Sequence, residues 1–119
     1  MKKDTYIFNA VINNVVDGDT VDATVDLGFY VNYNTRLRLY GINTPELHAT
    51  DAVVRAKALE AKNYVISKLP VGTAVTLQTF GQEKYGRFLA KVFISDYNLN
   101  DDLVAQGLAT IYFGSGPKT

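Results

Sequence analysis

Three short segments bring together residue types that could act on a charged ester: Asp17-Gly18-Asp19-Thr20, Arg38-Leu39-Tyr40-Gly41-Ile42-Asn43-Thr44-Pro45-Glu46, and Glu83-Lys84-Tyr85-Gly86-Arg87. Each has an ordinary reading by itself. Asp17-Gly18 is a strong turn signal, with glycine free to take a positive φ, so the first segment alone reads as a hairpin turn. An arginine on a strand usually lies on a solvated face, and Lys-Tyr-Gly-Arg makes an acceptable polar turn. Together the segments supply oxygen ligands for a hard cation, a carboxylate able to activate water, and two guanidinium groups to hold a phosphate as its charge grows. Arginine suits that last task better than lysine, because its planar fork donates two parallel hydrogen bonds and stays charged throughout. The chemistry such a set serves is hydrolysis of a phosphodiester.

Positioning these groups requires a rigid frame, and hydrophobic periodicity outlines one. The pattern alternates from Tyr6 to Val16 and again from Thr20 to Leu27, with Val21, Ala23, Val25 and Leu27 on one face. Gly28 to Asn34 reads as a loop. Thr35 to Tyr40 reads as a third strand with Leu37 and Leu39 on one side and Arg36, Arg38 and Tyr40 on the other. From Asp51 to Leu69 the period turns helical through Val54, Ala58, Ala61 and Val65, with Thr50 as the expected N-cap and Pro70 as the stop. Two more strands follow, Ala74 to Thr79 and Arg87 to Ile94, then a short helix from about Leu99 to Gln106 capped by Asn98, with Gly107 just beyond it. This order suits a five-stranded OB-type β-barrel with helices packed against it, among several α+β arrangements.

The chain of 119 residues has room for one core, so residues 1–119 are expected to form a single domain, with its body at about 6–113 and a flexible tail at 114–119. Apolar residues make up 47% and no stretch approaches the roughly 20 consecutive ones a membrane helix needs. Asp4 and Asn9 interrupt the apolar run that should follow a basic signal-peptide start, which sets the expectation of a cytoplasmic protein. With no cysteine, disulfides, thiolate metal sites and a cysteine nucleophile are excluded, and any metal must bind oxygen or His48. A lone histidine reads more naturally as a loop residue than as a ligand. A formal net charge of zero argues against packaging nucleic acid, and leaves room for an enzyme that concentrates its cations locally.

The three segments, in this order and at these spacings, resemble the signature of the staphylococcal nuclease (thermonuclease) family over roughly residues 8 to 113. A DGDT turn, an arginine five residues before a [DN]-x-PE segment, a long helix, KYGR and the later LVAQGLA run are all present. The resemblance implies an OB-type barrel and calcium-dependent hydrolysis of DNA or RNA, magnesium being less suited, with products ending in 3′-phosphates. By position it implies that Asp19, Asn43 and the Thr44 main-chain carbonyl hold the metal. Arg38 and Arg87 would grip phosphate, Glu46 would serve as general base, and Lys84 and Tyr85 would contact a terminal phosphate.

Asn43 departs from the family pattern, which most often has aspartate there, so the site carries one negative charge fewer. The loop from Gly28 to Asn34 also looks longer, and the chain stops soon after Phe113, as in short stand-alone bacterial or phage members of the family. Phe29, Tyr30, Tyr33, Tyr112 and Phe113 could stack on bases or simply pack. The competing reading is a non-catalytic nucleic-acid or protein binding module of the same fold. Retention of Asp19, Arg38, Glu46 and Arg87 together favours the enzyme, expected to be a monomer acting on DNA or RNA without a membrane partner.

Overall fold

The computed structural model describes residues 5–113; the expected tail at 114–119 lies outside them. Among the described residues, eight strands and two helices follow one another as β1 (Thr5–Asp17), β2 (Thr20–Asp26), β3 (Asn32–Leu39), β4 (Ile42–Asn43), α1 (Ala52–Lys68), β5 (Ala74–Gln82), β6 (Phe88–Ile94), β7 (Tyr97–Asn98), α2 (Leu99–Ala105) and β8 (Thr110–Ile111). Neighbouring strands pair antiparallel in the order β3, β2, β1, β5, β6, and a parallel pairing of β3 with β6 from Leu37↔Phe88 to Leu39↔Ala90 closes the ring. The result is a five-stranded barrel with two helices, the α+β, OB-type architecture expected from the sequence.

Alternation explains the barrel's interior. Val21, Ala23 and Val25 of β2, Leu37 and Leu39 of β3, Val75 and Leu77 of β5, and Ala90 and Val92 of β6 all point inward and are buried, around Ile12 of β1. Each fully buried leucine or valine contributes about 1.5–3 kcal/mol relative to exposure. Leu27 is the exception to its face, at 42% exposed. The barrel strand ends one residue earlier, where the Asp26 carboxylate accepts a hydrogen bond from the Gly28 N–H and turns the chain.

The hairpin between β2 and β3 is tighter than the sequence suggests. Asn32 to Asn34 belong to β3, because Thr24 on the facing strand donates to Asn34 at 2.6 Å and backbone bonds join Leu27 to Val31 and Val31 to Gly28. Asparagines that signal a turn are here paired strand residues. The turn itself places Gly28, Phe29 and Tyr30 at φ 84°, 54° and 62°, with both aromatic rings in solvent.

Helix α1 is capped by Asp51 rather than by Thr50: the Asp51 carboxylate accepts from Val53 N–H, while the Thr50 carbonyl is taken by Arg55. Its buried face is small, made of Ala58, Ala61 and Val65, which lets the helix lie close to the barrel. Helix α2 is capped by Asn98, as the sequence indicates, through a 3.1 Å bond from Asp101 N–H. The two helices are tied by Asp102, whose carboxylate accepts from the hydroxyls of Tyr64 and Tyr97, with Lys68 Nζ 5.4 and 5.5 Å from those ring centres. Fully buried Asn100 fixes α2 to the barrel, accepting from Val92 N–H and donating to the carbonyls of Tyr40 and Ala90.

Candidate active site

The first part of the site is the link between β1 and β2, where Asp17 pairs with Thr20 across Gly18-Asp19. The sequence suggests glycine here for a positive φ, but Gly18 does not adopt one. Glycine is needed for space: a Cβ would lie 2.8 Å from Ala61 Cβ and 3.0 Å from Thr44 Cγ2. The turn is therefore pressed between α1 and the segment after β4, which drives Asp19 inward.

Buried Asp19 meets three other elements of the site. Its Oδ2 accepts from the Thr44 N–H at 3.0 Å and lies 3.4 Å from Arg38 Nη2, while Oδ1 accepts from the Thr20 hydroxyl. The same Arg38 Nη2 donates to Asn43 Oδ1 at 3.2 Å, and Nη1 donates to the Leu39 carbonyl. Asn43 is fixed by pairing of β4 with β8, Asn43↔Thr110. Arg38 is only 7% exposed, so its charge is held in a dry setting where the carboxylate, the amide and the carbonyl must all serve it.

Arg38 also lines a cleft of about 360 Å³ with Tyr40, Lys84, Tyr85, Arg87 and Phe113. Two arginines, one from β3 and one from the turn just before β6, thus open on one space, with a lysine and a tyrosine at its rim. Tyr40 stacks on Phe80 at 4.0 Å and meets Phe113 edge-on at 5.5 Å, giving the cleft an aromatic wall. Arg87 is held by Glu83, Nη2 to Oε2 at 3.0 Å, yet its buried Nε has no hydrogen-bond partner. A buried donor left open beside a second arginine suits an anion. Arg87 holds the Glu83 carboxyl below its ordinary value of 4.5, and Glu83 in turn pushes the guanidinium further up.

Among the described residues, no three His, Asp or Glu side chains converge as a metal cage. The donor set nevertheless suits a hard cation. Asp19, Asn43 and the Thr44 carbonyl offer oxygen only. Beside them Asp17 is pushed up to about 6, first by burial and then by its hydrogen bond with Asp19 and that neighbour's negative charge. Crowded acid of this kind is what a divalent ion relieves.

The family profile described as "Staphylococcal nuclease homologue" matches residues 36–119, from within β3 through both arginines and α2. The chain belongs to the staphylococcal nuclease family. It is 31% identical over 105 residues to a thermonuclease of Staphylococcus intermedius, covering 87% of this chain and 59% of the relative. A thermonuclease of Staphylococcus hyicus is 33% identical over 101 residues, covering 83% and 56%. An uncharacterized protein of Methanocaldococcus jannaschii is 30% identical over 127 residues, covering 85% and 58%. The chain thus spans somewhat under three fifths of the length of these relatives.

Of the residues singled out by likeness to the staphylococcal nuclease family, Asp19, Arg38, Asn43 and Thr44 form one buried cluster, and Arg38, Lys84, Tyr85 and Arg87 share the cleft. Glu46 stands apart from that lining, exposed on the loop between β4 and α1. His48 is exposed on the same loop. Of the five aromatics, Tyr112 and Phe113 reach the cleft, whereas Phe29 and Tyr30 sit at the far tip of the β2–β3 hairpin. Sequence reasoning assigns no role of their own to Glu83 and Asn100, and gives Asp17 that of a turn residue. The available signal for Glu83 was an acid four residues before Arg87 across a glycine turn.

Proposed function

We propose that this domain is a calcium-dependent nuclease that hydrolyses phosphodiester bonds of DNA or RNA. The observation that carries this reading is the convergence of Arg38 and Arg87 on one cleft, with Asp19 Oδ2 and Asn43 Oδ1 against Arg38 Nη2 and the Thr44 N–H on the same Asp19 oxygen. Calcium held by Asp19, Asn43 and the Thr44 carbonyl would supply positive charge beside the scissile phosphate.

Arg87 donates its open Nε–H to a phosphate oxygen, and Arg38 meets the charge that grows on the equatorial oxygens in the transition state. Lys84 and Tyr85, at the rim, bind the neighbouring phosphate and fix the strand's register. Glu46, three residues after Asn43, accepts the proton of the attacking water. The water oxygen bonds to phosphorus and the bond from phosphorus to the 5′ oxygen breaks, that oxygen taking up a proton from solvent, which leaves a 3′-phosphate and a 5′-hydroxyl. The domain is taken to act as a monomer.

The test is incubation of the purified protein with single-stranded and duplex DNA and RNA, in calcium, magnesium or chelator, followed by identification of the product ends. Calcium-dependent products with 3′-phosphates are expected. Binding of the strands without cleavage in any metal would mark a binding module and overturn the proposal.

A further inference from the structure

One carboxylate organises the whole Glu83-to-Arg87 turn. Glu83 Oε1 accepts from the backbone N–H of Tyr85 and of Arg87, both at 2.9 Å, while Oε2 takes Arg87 Nη2 at 3.0 Å. Backbone bonds from Glu83 N–H to the Arg87 carbonyl and from Gly86 N–H to the Glu83 carbonyl close the same loop. Gly86 sits at φ 90°, a conformation that only glycine adopts without strain, so the turn is tight and its two ends are held together. The Glu83 side chain therefore does two separable things. Oε1 builds the turn that carries Lys84 and Tyr85, and Oε2 fixes the direction of the Arg87 guanidinium.

The direction matters because of what remains unused. With Nη2 taken by Glu83, the Nε–H of Arg87 is buried and unpartnered, on the wall of the cleft that Arg38 shares. An exposed arginine would spread over many rotamers and lose that freedom on gripping a ligand. One pinned at Nη2 presents its remaining donors in a single orientation before the substrate arrives, and such preorganised donors are the ones that act on the transition state.

We infer that Glu83 is the positioning residue of the site: it aims Arg87 at the phosphate through Oε2, and sets the Lys84-Tyr85 rim through Oε1. This rests on the nuclease reading above for its substrate, but the geometry it concerns can be tested without turnover. Glu83 lines the cleft with both carboxylate oxygens already taken by the turn and by Arg87, so its contribution is expected in kcat through Arg87, with initial strand binding nearly intact.

Glu83→Gln separates the two tasks. The amide oxygen still accepts from Tyr85 and Arg87 N–H, but the amide nitrogen cannot accept from Arg87 Nη2. With a short oligonucleotide in calcium, kcat is expected to fall at least 10-fold, with KM changed less than about 3-fold. By NMR of the free protein without metal, the Arg87 Nε–H resonance should be resolved in the wild type. In Glu83→Gln it should be broadened or lost, while amide signals outside residues 82–88 stay in place. An unchanged kcat, or a reduced kcat with an unchanged Arg87 Nε–H resonance, would overturn the inference. So would an amide spectrum altered throughout the barrel, which would make Glu83 a folding residue. A wild type that cleaves nothing would count against the nuclease reading alone, since the resonance comparison still decides whether Glu83 holds Arg87.

Discussion

Nη2 of Arg38 stands 3.2 Å from Asn43 Oδ1 and 3.4 Å from Asp19 Oδ2, so one guanidinium nitrogen joins two residues from the turn after β1 and from β4. A cation bound by Asp19 Oδ2 and Asn43 Oδ1 would share both oxygens with Arg38. In the proposed function, the neutral amide at position 43 would set how strongly that shared site attracts a divalent ion.

Asn43→Asp adds a full negative charge at this point. Such a charge beside a divalent ion is worth several kcal/mol at an effective dielectric near 20, most of it offset by desolvation and by the pull of Arg38. A net gain of roughly 1–3 kcal/mol, about 5- to 150-fold in calcium affinity, is expected. Calorimetric titration of both proteins checks it. Equal affinities would remove Asn43 from the ligand set.

Gly18→Ala should destabilise the fold by about 1–3 kcal/mol, because the new methyl meets Ala61 Cβ at 2.8 Å and the Thr44 side chain at 3.0 Å. Thermal denaturation measures the loss. Calcium affinity should drop with it, since Thr44 is pushed and its N–H holds Asp19.

Asp17 gives a pH signature in the metal-free protein. Its folded value, about 6, lies above its ordinary value of 3.8. A raised carboxyl favours the protonated folded state. The contribution is therefore fully present below pH about 4 and is lost as pH rises through 6. Asp17→Asn keeps the acceptor for Asp19 N–H and removes the charge. It should be more stable than wild type by about 1 kcal/mol at pH 7.5, after discounting for solvent screening, and equal to it near pH 4. Urea denaturation in chelator at the two pH values measures the difference, and equal stability at pH 7.5 would contradict it.

Much of the barrel was legible because its signals are local. Val21, Ala23 and Val25 alternate cleanly, Ala58, Ala61 and Val65 recur at helical spacing, and Asn98 caps α2 as its type suggests. What escaped depends on distant partners. Asn32 to Asn34 read as loop until Thr24 is known to face Asn34, and β4 and β8 are two-residue strands that exist only through each other. Thr50 and Asp51 are equally good caps by type, and the choice was made by Arg55 binding the Thr50 carbonyl. Gly18 was recognised as a required glycine but for φ rather than for the approach of α1, which no local pattern contains. The site residues were legible as motifs, whereas the clamp of Glu83 on Arg87 and the sharing of Arg38 between Asp19 and Asn43 are matters of geometry.

In the proposed function Arg87, opening on the cleft beside Arg38, stabilises a phosphodiester transition state. The most direct measurement compares the rate of oligonucleotide cleavage by wild type and Arg87→Ala in calcium, with melting temperature recorded for both. Arg87 is partly exposed and its ion pair with Glu83 lies within one turn, so the fold should be retained with a change of about 1 kcal/mol or less. Cleavage should fall at least about 100-fold, the usual cost of removing a preorganised donor to developing charge. A variant that melts like wild type and cleaves at the wild-type rate would contradict the account.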